Sequence, residues 1–142
     1  MARGIVAGLA VVGVVALGVV GHAAQAKPAA PAKSPAAAKA MKNPVAADAA
    51  SVEAGKAVFA KYCRACHGAE GKGDGPGAAM LKDVKPANLT DPKWDHGSTD
   101  GEVFTTIHDG IGPKFTMDAW EGRIKDTDIW NVVNYIKTLK AK

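Results

Sequence analysis

Residues 51–67 read Ser51-Val52-Glu53-Ala54-Gly55-Lys56-Ala57-Val58-Phe59-Ala60-Lys61-Tyr62-Cys63-Arg64-Ala65-Cys66-His67, a helical stripe running directly into Cys-x-x-Cys-His. Ser51 suits an N-cap, and Glu53 puts negative charge in the first turn, where the helix dipole favours it. Val52, Phe59 and Tyr62, with Ala54 and Val58, make one apolar face that ends at Cys63. The chain has two cysteines and four histidines, so this arrangement arises by chance on the order of a few times in ten thousand. C-x-x-C-H is the signature of covalent haem attachment. Two thiols one helical turn apart add to the vinyl groups of one porphyrin edge, and the following histidine is carried beneath the ring to ligate the iron. One haem c, bound through Cys63 and Cys66 with His67 as iron ligand, is the expectation.

Three other uses of the cysteine pair compete with it. A thioredoxin-like redox pair needs a preceding strand and a parallel sheet, and no stretch alternates with period two over a strand's length. Half of a zinc site needs a second Cys/His pair, and only His22, His96 and His108 remain. A structural disulfide is open to any exported protein. For the sixth iron position the candidates are Met80, Met117, His96, His108 and an open site. Met117 is preferred because it follows Gly110, Gly112 and Pro113 in an inter-helix loop, off any helical stripe. Met80, at helical spacing after the motif, reads as packing, and His108, at a helix end, as a surface or capping residue.

Working outward, Gly68–Gly77 holds five glycines and Pro76 and is a loop, and Ala78–Lys82 has room for a short helical turn. Its Gly71-Lys72-Gly73-Asp74-Gly75 core lacks the spacing of a phosphate-binding loop. Thr99 and Glu102 form a capping box for a helix with Val103, Phe104 and Ile107 on its apolar side, closed by Gly110. Ile111–Lys125 is loop. Asp126 or Thr127 then caps a helix in which Ile129, Val132, Val133, Ile136 and Leu139 recur at three- and four-residue steps. The three tryptophans, Trp94, Trp120 and Trp130, are placed against haem and core. The fold class is all-α.

The 142 residues carry a formal charge of +4. Residues 51–142 contain 13 basic and 13 acidic side chains and all eight aromatics, so the excess charge lies entirely in the first 50 residues. Basicity therefore gives no ground for nucleic-acid binding. Residues 1–26, with Arg3, an apolar run from Ile5 to Gly21 and a closing Ala24-Gln25-Ala26, read as a cleaved signal peptide, with a retained membrane anchor as the alternative. Residues 27–50, with eleven alanines, four prolines and four lysines and no aromatic residue, read as a disordered linker. The domain is then 51–142. A membrane enters only if the leader is retained.

From about Glu53 to Leu139 the sequence resembles the class I c-type cytochromes. The resemblance rests on Gly55 and Phe59, Cys63-Arg64-Ala65-Cys66-His67, Gly68, Lys85-Pro86-Ala87-Asn88-Leu89-Thr90, Ile107-His108-Asp109-Gly110, Met117-Asp118-Ala119-Trp120, and Asp128-Ile129-Trp130 with Tyr135-Ile136 and Leu139. It implies a cytochrome c fold in which the first and last helices cross at right angles, with Gly55 at the crossing and Phe59 against Tyr135. It maps the proximal histidine onto His67 and the axial methionine onto Met117. Asp118 stands where the family often has proline. The resemblance also carries the carbonyl that accepts the proximal histidine's second N–H onto Pro86, with Ala87 intervening before Asn88.

The expected activity is one-electron transfer by an exported, monomeric carrier in the periplasm or on the outer face of the cytoplasmic membrane. Redox proteins would dock at the haem edge. Two alternatives stand beside it: the cytochrome subunit of a larger dehydrogenase or oxidase complex, and an open-site haem domain that binds ligands or reacts with peroxide.

Overall fold

The computed structural model describes Met1, residues 35–113 and residues 116–139. Its elements are α1 (Pro35–Ala40), α2 (Ala49–Tyr62), α3 (Arg64–His67), a 3₁₀ helix (Pro76–Met80), α4 (Asp100–Asp109) and α5 (Asp126–Leu139). Among the described residues the only β-pairing is an isolated bridge between Ile111 and Met117. The fold is the all-α cytochrome c fold.

The largest helix interface is α2 on α5, and Gly55 is the reason it is so close. A Cβ at that position would stand 2.0 Å from the Asn131 carbonyl oxygen and 3.0 Å from the Tyr135 Cβ. One turn on, Phe59 meets Tyr135 with ring centroids 5.3 Å apart. α4 closes the third side: Phe104 stacks on Trp130 at 4.0 Å and 17°. Phe59, Phe104, Ile129, Trp130, Val132 and Val133 are fully buried around this junction.

α2 begins earlier than its sequence suggests. Its N-cap is Asp48, whose carboxylate accepts from the Ser51 N–H at 2.8 Å. Ser51 lies inside the helix and is buried, with its hydroxyl shared between Asn131 and Asn134.

The expected 27–50 linker does not hold over residues 35–50. α1 packs on α4, with the Ala38 carbonyl against Gly101, and Ala38 is buried. Met41 and Val45 pack on the main core. Asn134, buried in α5, then ties the segment down: it accepts from the Asn43 amide at 2.7 Å and donates to the Val45 and Ala46 carbonyls. Small residues and backbone polar groups make this strap, so it needs no aromatic anchor. Apart from Met1, the expected leader and residues 27–34 lie outside the described residues. Among the described residues no helix is long and apolar enough to cross a membrane.

The capping box of α4 forms as its sequence implies. The Thr99 hydroxyl accepts from the Glu102 N–H, and the Glu102 carboxylate accepts from the Thr99 N–H at 2.9 Å and from its hydroxyl at 2.8 Å. Those Thr99 bonds hold the Glu102 carboxyl below its ordinary pKa. A depressed carboxyl adds stability above the unfolded group's pKa and loses it as pH falls through the folded value. Glu102→Gln should therefore lower the melting temperature at pH 7, and the gap to wild type should narrow as the pH falls below the ordinary carboxyl range. A gap independent of pH would contradict this.

Candidate functional site

The end of α2 and the short helix α3 deliver the cysteine motif. The Cys63 N–H closes the last turn on the Phe59 carbonyl at 2.9 Å, and the Cys63 carbonyl accepts from Cys66 and His67. The chain thus turns tightly while both thiols and the imidazole stay on one wall. Both cysteines are free thiols, and burial, with Cys66 adding to it, pushes the Cys63 thiol up to about 12.

Cys63, Cys66, His67 and Met117 line one cleft of about 350 Å³. Phe59, Leu89, Val103, Ile107, Trp120 and Ile136 supply much of its apolar wall, and Lys85, Asp95, His96 and Asp118 lie among its lining residues. Close-packed interiors leave few voids much larger than a water molecule, so a cleft of this size and lining fits a large apolar ring with a polar margin. Trp94 and Trp120 line it, while Trp130 belongs to the core. Among the described residues no three His, Cys, Asp or Glu cluster to hold a metal ion.

A backbone carbonyl orients the His67 ring. Its Nδ1 lies 3.1 Å from the Ala87 carbonyl oxygen, which can only accept, so Nδ1 carries the proton and Nε2 keeps its lone pair. Burial lowers the pKa of His67, opposed in part by that bond. The acceptor is Ala87 and not Pro86, the residue to which the resemblance pointed. The Pro86 carbonyl is turned instead toward Gly73, where a Cβ would stand 2.3 Å away. The glycine loop after the motif thus lets two backbone segments pass close together.

Met117 is held by the backbone. Ile111 donates to its carbonyl at 3.0 Å, and Gly110, at φ 74°, turns the chain out of α4 so tightly that a Cβ would lie 2.7 Å from that same carbonyl. On the far side of the loop the His108 carbonyl accepts from the Trp120 and Glu121 N–H groups at 3.0 and 2.9 Å. Tyr62 packs edge-on against Trp120 at 5.5 Å, joining the cysteine helix to the Met117 segment.

Two residues differ from their sequence reading. His108 is 3% exposed; it stacks on Phe104, pairs through Nδ1 with Asp109, and directs Nε2 toward Asp126 at 3.8 Å. A buried polar ring needs such partners, and here they join the end of α4 to the start of α5. Met80 is 84% exposed, at the end of a 3₁₀ helix that packs on α3 through its glycines.

Comparison with known proteins agrees with this geometry. The cytochrome c family model matches residues 52–140. The chain is 37% identical over 86 residues to the cbb3-type cytochrome c oxidase subunit FixP of Bradyrhizobium sp. (strain ORS 278), covering 61% of this chain and 27% of that protein. It is 35% identical over 95 residues to the CcoP subunit of Cereibacter sphaeroides, covering 65% and 29%. It thus spans less than a third of the length of these relatives. Among solved structures it resembles the Kuenenia stuttgartiensis reducing HAO-like protein complex Kustc0457/Kustc0458, with a TM-score of 0.63 and 27% identity over 70% of this chain and 49% of that one. Cytochrome cL of Methylophaga aminisulfidivorans shares the fold at a TM-score of 0.51 and 20% identity, covering 64% and 56%.

Proposed function

The chain belongs to the cytochrome c family, and on that footing we propose that it is an exported one-electron carrier whose haem iron is held between His67 and Met117. The observation that carries this reading is the meeting of both cysteines, the His67 ring bonded to the Ala87 carbonyl and the backbone-pinned Met117 on one apolar cleft. When bound, the haem supplies a one-electron iron couple. Cys63 and Cys66 tether it to the chain along one edge. The Ala87 carbonyl keeps the proton on His67 Nδ1, which fixes the ring's orientation and tautomer. Met117 offers a soft thioether, which favours the reduced state and raises the potential relative to a second imidazole. Phe59, Ile107 and Ile136 exclude water from the cleft. The leader-like composition of residues 1–26 supports export.

Film voltammetry of the purified holoprotein should give one reversible one-electron wave, and the ferrous protein should bind carbon monoxide only slowly at neutral pH. Rapid carbon monoxide binding would favour an open iron site and count against Met117 as a standing ligand. A second reading, a subunit of a larger redox complex, is favoured by the oxidase-subunit relatives. Co-purification of a stoichiometric catalytic partner from the source cells would support that reading over the free carrier.

A further inference from the structure

Among the described residues the buried polar side chains are Ser51, Asn134 and His108. Ser51 and Asn134 bond to each other where α2 meets α5. His108 lies away from that pair, in the last turn of α4, and it is not among the residues that line the cleft.

The segment that carries Met117 leaves α4 directly after His108 and Asp109 and re-enters helix at Asp126. Asp109 and Asp126 therefore mark its two ends, and the His108 ring lies between them. Nδ1 bonds to the Asp109 carboxylate, and Nε2 lies 3.8 Å from the Asp126 carboxylate. The Phe104 ring stacks on the imidazole at 5.4 Å and 21°, and is itself stacked on Trp130, so core aromatics fix the ring from one side. The backbone of the same residue holds the returning arm of the segment, since its carbonyl accepts from the Trp120 and Glu121 N–H groups. Trp120, three residues after Met117, lines the cleft. Gly110 brings the departing arm against the returning one: a Cβ there would stand 2.7 Å from both the Met117 carbonyl oxygen and the Ala119 nitrogen.

A buried imidazole has given up its water, so its nitrogens need partners inside the protein. Here the carboxylates that serve them belong to different helices. Moving α5 away from α4 would strand Nε2 in the interior, and leaving a buried polar atom without a partner is costly. The ring thus resists the one separation that would open the Met117 segment at its base.

We propose that His108 is a positioning residue for the axial ligand: with Asp126 it clasps the base of the Met117 segment and so keeps the thioether at the cleft. The proposal rests on Met117 as an iron ligand, and assigns a role to two side chains outside the cleft wall. A neutral thioether outcompetes added bases only while the chain holds it close, at an effective concentration that a loosened segment lowers.

The test compares the holoprotein with His108→Gln, Asp126→Asn, the double variant and Asp128→Asn. Asp128 shares the first turn of α5 with Asp126, so its variant removes the same charge from the helix start. Ferric protein is titrated with imidazole and followed through the far-red band that a thioether ligand gives, while chemical denaturation read by circular dichroism gives the global stability of each variant. Asp126→Asn should bind imidazole about tenfold more tightly than wild type, the effect of removing one polar partner from a buried ring. His108→Gln should do so at least as strongly, and the double variant no more than His108→Gln alone, because the two side chains act as one contact. Asp128→Asn should leave the imidazole affinity unchanged. The Asp126 side chain is 34% exposed and tolerates the change, so Asp126→Asn decides the matter if His108→Gln yields no holoprotein. Unchanged affinity in Asp126→Asn, with the band present in wild type, would overturn the clasp and leave Met117 as the ligand. An equal rise in Asp128→Asn would make the effect one of charge at the helix start and overturn the clasp as well. A wild type without the band would overturn the Met117 assignment and the clasp with it.

Discussion

Gly55→Val will yield little or no folded protein, at a cost of about 4 kcal/mol or more. The added Cβ alone would come 2.0 Å from the Asn131 carbonyl oxygen, a backbone atom that a rotamer change cannot move. Separating α2 from α5 to make room would pull Phe59 off Tyr135 and open the polar contacts that Ser51 makes with Asn131 and Asn134. Gly55→Ala should be nearly as damaging, since the clash begins at the first carbon. Expression with haem attachment, followed by chemical denaturation, measures the effect; a Gly55→Val protein within about 1 kcal/mol of wild type would contradict the crossing geometry.

Removing the cofactor should have an effect of similar size. Cys63→Ser with Cys66→Ser abolishes the thioethers, and the chain is then left with a largely apolar cleft of about 350 Å³ in its middle. Left open to water, that apolar lining forfeits burial on which a small domain's whole stability, about 5–15 kcal/mol, depends. The double variant should show no cooperative melt by circular dichroism. A cooperative haem-free transition near the holoprotein's melting temperature would show that α2, α4 and α5 suffice by themselves.

Residues whose role depends on spacing or bulk were legible in the chain. The Thr99–Glu102 capping box and the periodic face of α5 take the places their pattern implies, and Gly55, Phe59 and Tyr135 take those the family resemblance implies. The cysteine motif and Met117 likewise fall on one cleft. What stayed hidden depends on backbone atoms and small side chains. No composition rule separates the Ala87 carbonyl from the Pro86 carbonyl one residue away; only the path of the loop over Gly73 decides which of them faces His67. The strap over 35–50 binds through Ala38, Asn43 and two carbonyls, so its Ala/Pro composition reads as unstructured although Asn134 holds it. His108 reads as a surface residue because helix-end histidines face water unless, as here, a carboxylate from another element reaches them. The paired Asn43 and Asn134 had no periodic or motif signal at all.

We propose His67 and Met117 as the two protein ligands of the haem iron. The far-red charge-transfer band that a thioether gives to ferric haem tests it directly, recorded for the holoprotein and for Met80→Leu and Met117→Leu. The band should be present in wild type, unchanged in Met80→Leu and absent in Met117→Leu, which should also turn high-spin and bind carbon monoxide readily. A band that survives in Met117→Leu, or that is missing from wild type, would contradict the assignment.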